Sequence, residues 1–219
     1  MPLFCWGGCS NSDVVSPAKP ELNSNEKANA LAKKENTIQL TADQISPQTL
    51  EFMAMKRAEL GINFDPNLKP VKAKRVDISQ IPDYVPLSLS DIEKLSPGNG
   101  KYFSGINLVQ RDEFTFQYYS WCVPYPSPSK PWFEWMGSSQ SSNISMTYME
   151  MTSIHYLNWN FLAGWLRGAA NCSSLLVEDW YEQASPPYLW EVEGTHYGFN
   201  AENPYVVIGD YSYANDGSQ

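Results

Sequence analysis

Five carboxylates crowd the stretch SSLLVEDWYEQASPPYLWEVEG: Glu178, Asp179, Glu182, Glu191 and Glu193. Two carboxyls held about 5–10 Å apart across a cleft can cleave a glycosidic bond. Sequence spacing does not fix such a distance, and acids this frequent in an acidic segment are mostly solvated. Only two histidines occur, His155 and His196. Either can belong to a Ser–His–acid or Cys–His arrangement, because those partners meet in space rather than along the chain. His155 falls inside an apolar helical pattern, which favours a structural role. His196, in EGTHYGF, lies in a Gly-flanked turn, a better place for function. No G-x-S-x-G, H-E-x-x-H or Walker-type loop is present. The absence of any Cys-x-x-Cys argues against structural zinc. No metal and no cofactor is expected, and the reading leans away from an enzyme.

Charge narrows the partners. Residues 1–80 carry ten Lys and Arg against nine Asp and Glu, whereas residues 81–219 carry five against fifteen. After Arg167 there is no Lys or Arg, while Glu178, Asp179, Glu182, Glu191, Glu193, Glu202, Asp210 and Asp216 accumulate. A surface of this sign repels nucleic acid and attracts a basic protein. Seven of the eight Trp lie between Trp121 and Trp190. The Pro- and Ser-rich stretch VPYPSPSKPWFEWMGSSQSSN reads as a long exposed loop carrying Trp132, Phe133 and Trp135. An exposed W-F-E-W is an apolar patch suited to a partner.

These residues must be positioned by a modest set of elements. SPQTLEFMAMKRAELG has Ser46 as cap, Pro47 in the first turn and Gly61 at the exit, which predicts a helix over about 47–60. Leu50, Met53, Arg57 and Leu60 share one face, with Ala54 beside them. Residues 62–87 read as an extended connector, and SLSDIEKLSPGNG as a short capped helix. KYFSGINLVQ, DEFTFQYYSWCV, NISMTYMEM, YLWEVEG and PYVVIGDYSY read as strands, several with period-two alternation. In TSIHYLNWNFLAGWLRG, Ile154, Leu157, Phe161, Leu162, Trp165 and Leu166 recur at helical spacing. The expected fold is α+β: a mainly antiparallel sheet packed on a central amphipathic helix over about 153–167.

The chain opens MPLFCWGGCSNSDVVSPAKPELNSNEKANA. An apolar stretch, small residues, Cys9 and then a polar run without period resembles the cleavage region of a bacterial lipoprotein signal. That resemblance implies an acylated Cys9. The polar run, without helical or strand period, reads as a flexible tether to about residue 36, and residues 37–219 as a single globular domain. In an oxidising compartment Cys122 and Cys172, both in apolar surroundings, are expected to come close enough for a disulfide; in cytosol they would be small buried hydrophobes. The end, VVIGDYSYANDGS, resembles the entry coil of hexapeptide-repeat acyltransferases. The chain stops there, so no stack of coils can form and no catalytic residue is carried over.

The function expected from these features is non-enzymatic binding or inhibition. Its most concrete form is an envelope-tethered protein, similar to the immunity proteins that accompany antibacterial effectors, neutralising a basic toxin or enzyme. The expected partner-binding residues are Trp132, Phe133, Trp135, Glu178, Asp179, Glu182, Glu191 and Glu193. Membrane contact would come only through the lipid anchor. The rival classes are a carbohydrate-binding or carbohydrate-degrading envelope protein, and a cytoplasmic or phage-type structural protein.

Overall fold

A computed structural model describes residues 36–63, 65, 67–81, 84, 90, 94, 104, 106–111, 114–125, 133–182, 189–202 and 207–216. The tether expected up to residue 36, the short helix expected over 88–96 and Trp132 fall almost entirely outside that set.

Eight antiparallel strands and one long helix carry the described chain. Strand β1 is Asn36–Leu40, helix α1 Pro47–Glu59, β2 Lys74–Val76, β3 Asn107–Arg111 and β4 Phe114–Tyr125. Strands β5 (Phe133–Leu157) and β6 (Asn160–Glu182) are 25 and 23 residues long. Then come β7 (Trp190–Phe199) and β8 (Val207–Asn215). The order is β1-β6-β5-β4-β3, with β2 on the far end of β6 and the β7–β8 hairpin on β5. None of the described helices is long and apolar enough to cross a membrane.

Strand β5 changes neighbours halfway. Residues 133–142 pair with β4, and residues 148–157 pair with β7. Between Ser141 and Met146 the register slips. A slip of this kind bends a strand and shifts which side chains face inward. Before it, Glu134, Met136, Ser138 and Gln140 point inside; after it, Met149, Met151, Ser153, His155 and Leu157 do, all of them buried. The bend folds the sheet over itself, so β4 faces β8 without backbone pairing. Ser120 Oγ meets Ser212 Oγ at 2.6 Å, and the Tyr118 hydroxyl donates to Asp210.

The expected central helix is therefore a strand hairpin, and the correction has a physical cause. Asn158 and Trp159 have φ of 50° and 61°, the two positive angles of a two-residue hairpin turn. Asn tolerates that region, and here its Oδ1 accepts from Leu189 N at 2.9 Å while its Nδ2 donates to Lys69 O at 3.1 Å. Before the turn, apolar Ile154 and Tyr156 are buried on the outer face and polar Ser153 and His155 on the inner one, so polar residues do not mark the solvent side. A strand without polar alternation is indistinguishable from a helix by periodicity.

Helix α1 forms as its sequence requires. Ser46 Oγ accepts from Thr49 N at 3.0 Å, and Pro47 opens the first turn. Met53 is fully buried against Ile45, Ile154, Tyr156 and Tyr211, while Leu50 and Leu60 stay exposed. The helix covers the outer face of the β5–β7–β8 half. The outer face of the other half is covered by an aromatic cluster: Trp121, Val123, Tyr125, Phe133, Trp135 and Trp180, joined by Val76 and Ile81. The Trp135 and Trp180 rings stack at 5.3 Å and 7°.

Candidate functional site

The acids expected on one surface are dispersed. Successive strand residues point to opposite faces, so Glu178 is exposed on the outer face while Asp179 is buried inside. Glu182 lies at the rim beside Lys74 Nζ, 3.3 Å away. Glu191 and Glu193 point outward from β7 but are fully buried. Phe133 and Trp135 are buried too, so the stretch expected to be an exposed loop is strand over its described part. Glu178 alone of the described candidates offers an exposed side chain, and the exposed acidic–aromatic surface is not assembled.

Two of the buried acids, Glu193 and Asp179, are paired with cations from far earlier in the chain. Arg57 on α1 grips both Glu193 oxygens at 2.8 and 2.7 Å, and the Tyr211 hydroxyl donates to the same carboxylate at 2.7 Å. Asp179 accepts from Arg75 Nε and Trp165 Nε1, each at 2.6 Å. The charge difference between the chain's two parts, read above as a surface field, is in part this internal pairing.

Cys122 and Cys172 remain thiols rather than a bridge. Cys122 lies beside Met136, which faces Asp179, whereas Cys172 is seven positions earlier on β6. Seven strand residues span roughly 23 Å, and a bridge needs Cα atoms within about 7 Å. The Cys122 thiol instead donates to the buried Glu134 at 3.1 Å, and burial pushes its pKa well up.

Among the described residues, the constellation with catalytic residue types is interior. His155 Nε2 lies 3.1 Å from Ser153 Oγ, and His155 Nδ1 lies 3.7 Å from Asp179 Oδ2 and 3.1 Å from the Tyr181 hydroxyl. The residue types are those of a hydrolase triad. Ser153 and His155 have no exposed surface, however, so no carbonyl can reach the hydroxyl. Ser153 Oγ instead meets Ser138 Oγ at 2.9 Å, which meets Ser120 Oγ at 2.8 Å. Ser120 meets Ser212, and Ser212 Oγ lies 2.7 Å from His196 Nε2. His196 is thus an inward strand residue, not a turn residue. A continuous row of four hydroxyls joins the two histidines through the middle of the fold. Burial lowers the His155 pKa to about 4 and the His196 pKa to about 3, so both rings are neutral near pH 7. Gly194 makes room for the row: a Cβ there would stand 2.7 Å from His196 Nε2, 2.7 Å from Ser212 Oγ and 2.8 Å from Ser120 Oγ. Nothing in the sequence pattern singles out these serines, since a lone Ser in an apolar strand carries no period of its own.

Glu191 is the least comfortable group. Tyr213 donates to one oxygen, while the other has no hydrogen-bond partner among the described residues. Burial raises its pKa to about 8. The unfolded chain ionises this group above about pH 4.5, and the folded chain resists until about pH 8, so its presence costs stability increasingly across that window. Glu191→Gln keeps the tyrosine bond and removes the ionisation. It should raise stability by about 4 kcal/mol at pH 8 and by little at pH 4.5. Urea titrations at the two pH values check this; an equal gain at both refutes it.

Among the described residues, no group of three or more His, Cys, Asp and Glu is placed to hold a metal ion. Comparison of the chain with protein-family models, curated proteins and solved structures finds no match.

Proposed function

We propose that this protein is a non-enzymatic binding protein whose partner, a basic protein, docks on the outer face of β3–β6 beyond the aromatic cluster. The observation that carries the reading is a row of exposed apolar side chains on that face. Leu108 is 55% exposed, Leu176 43% and Ile106 40%. The register places Leu108 and Leu176 on adjoining rows, Leu108–Gln117–Ser141 and Tyr119–Ser139–Leu176, so they flank a polar floor, and Ile106 immediately precedes the strand that carries Leu108. Exposed Glu178 follows Leu176 on the same face and adds the sign that attracts a cationic partner. The sealing of Ser153 and His155 supports binding over catalysis. An inhibitory, immunity-type role is the most concrete form of this proposal. Its envelope location rests on the resemblance around Cys9 alone, because Cys122 and Cys172 lie too far apart to bridge.

A basic protein retained by the full chain is titrated against surface variants by surface plasmon resonance. Leu108→Asp and Leu176→Asp should each weaken binding by about 2 kcal/mol, chiefly through faster dissociation. Glu178→Lys should slow association, less so at high salt. Leu60→Asp, on the exposed end of the helix, is the control and should change neither rate. Face variants that bind as the parent does refute the placement. A glycan-binding reading has one feature in its favour, a groove lined by Thr115, Gln117, Ser141, Ser142 and Asn143. No aromatic ring lines it for a sugar to stack on.

A further inference from the structure

We infer that the interior hydroxyl row is a one-way hydrogen-bond chain that locks His155 and His196 in opposite neutral tautomers and couples their protonation. The direction starts at Gln140. Its Nε2 donates to Glu150 O and Tyr197 O, both at 3.1 Å, which leaves Oε1 facing His196 Nδ1 at 3.2 Å. A carbonyl oxygen only accepts. His196 therefore carries its proton on Nδ1, and its Nε2 must accept from Ser212.

Each serine has one hydrogen. With the Ser212 hydrogen on His196, Ser120 must donate to Ser212. Ser138 then donates to Ser120, and Ser153 donates to Ser138. The hydrogen of Ser153 is now spent, so its contact with His155 is made by a proton on His155 Nε2. His155 Nδ1 is left as an acceptor for the Tyr181 hydroxyl. That hydroxyl has a second claimant, Asp179 Oδ2 at 3.2 Å, and one hydrogen cannot serve both fully.

This end of the chain is where a proton can enter. A proton delivered at Tyr181 and Asp179 moves the tyrosine hydrogen to His155 Nδ1. His155 passes its Nε2 proton to Ser153, and each hydroxyl hands one on until His196 Nε2 is protonated. One proton is taken up, every serine still has one hydrogen, and the charge appears on His196. The groups facing His155 are Asp179 and Tyr181 from β6 and Arg75 from β2. His196 faces Tyr118 from β4, ring to ring at 4.9 Å, and Tyr118 is itself bonded to Asp210 of β8. The chain joins β4 to β8, which share no backbone bonds, so its reversal acts on the seam that closes the fold.

The test is long-range proton–nitrogen NMR of the histidine rings in the intact protein at pH 7, assigned with His155→Gln. The expected result is His155 protonated on Nε2 and His196 on Nδ1. The same tautomer in both rings, or a charged ring, overturns the inference. Ser138→Ala then cuts the chain in the middle. Ser153 is freed to donate to His155 Nε2, so His155 should switch to the Nδ1 tautomer while His196 stays unchanged. A folded Ser138→Ala protein with His155 unswitched also overturns it. Ser120→Ala, one link on, carries the same expectation should Ser138→Ala fail to fold.

Discussion

Arg57→Ala should lower the free energy of unfolding by about 3–5 kcal/mol, because it leaves a buried carboxylate without its counter-charge. Glu193 has no exposed surface, and Arg57 is its bidentate partner. Tyr211 and Tyr156 stay as neutral hydroxyl partners of the carboxylate and cannot replace a guanidinium. The pair also ties α1 to β7, so its loss frees the helix from the sheet it covers. Glu193→Ala should cost a similar amount. The double variant Arg57→Met, Glu193→Leu should recover most of the loss, since replacing both charges by apolar groups of similar size removes the uncompensated ion. Urea unfolding of the four proteins decides the matter. A loss under about 1 kcal/mol for Arg57→Ala would place the pair among weak surface bridges.

Acid should destabilise the fold through its histidines well before carboxylates of ordinary pKa titrate. Both rings are held neutral by burial, His155 with a pKa of about 4 and His196 of about 3, against about 6.5 in an unfolded chain. A lowered histidine pKa means the unfolded state binds the proton first. The histidine contribution to stability is therefore complete above pH 6.5 and is lost as the pH drops toward 4 and then 3. The full fall is about 3 kcal/mol or somewhat more for each ring. His196→Gln and His155→Gln should each flatten the decline between pH 6.5 and 4.5, whatever they cost at pH 7. A parent protein whose urea midpoint is constant over that interval contradicts the reading.

Local features were legible in the sequence where a local rule decides the structure. Ser46 and Pro47 announce the start of α1, and the alternation of Phe114, Phe116 and Tyr118 announces β4. The span 153–167 was not legible, because its inward residues Ser153 and His155 are polar while Ile154 and Tyr156 on the other face are apolar and buried, so the usual apolar-in, polar-out alternation is missing. The aromatics between Trp121 and Trp135 misled for the same reason: segment 76–81 covers them, and nothing local records that visit. The acids misled because charge counts say nothing of pairing. Arg57 is 136 positions from Glu193, and Arg75 is 104 from Asp179. The hydroxyl chain is a property of five strands meeting, and its members share no spacing that a sequence can display.

The long separation between α1 and β7 also sets a timetable for the newborn chain. Arg57 leaves the ribosome 136 residues ahead of the carboxylate it will hold. At ordinary rates of synthesis that is an interval of roughly 7–27 seconds. Strand β1 waits as well, since its register partners are Gly164–Gly168. Through that interval Met53 has no Tyr211 to pack on, and Ile38 has no Leu166 opposite it. Pairings this distant along the chain also make for slow folding. The first third of the protein is thus a guest awaiting its host, and its exposed apolar side chains during synthesis are where a chaperone would find it.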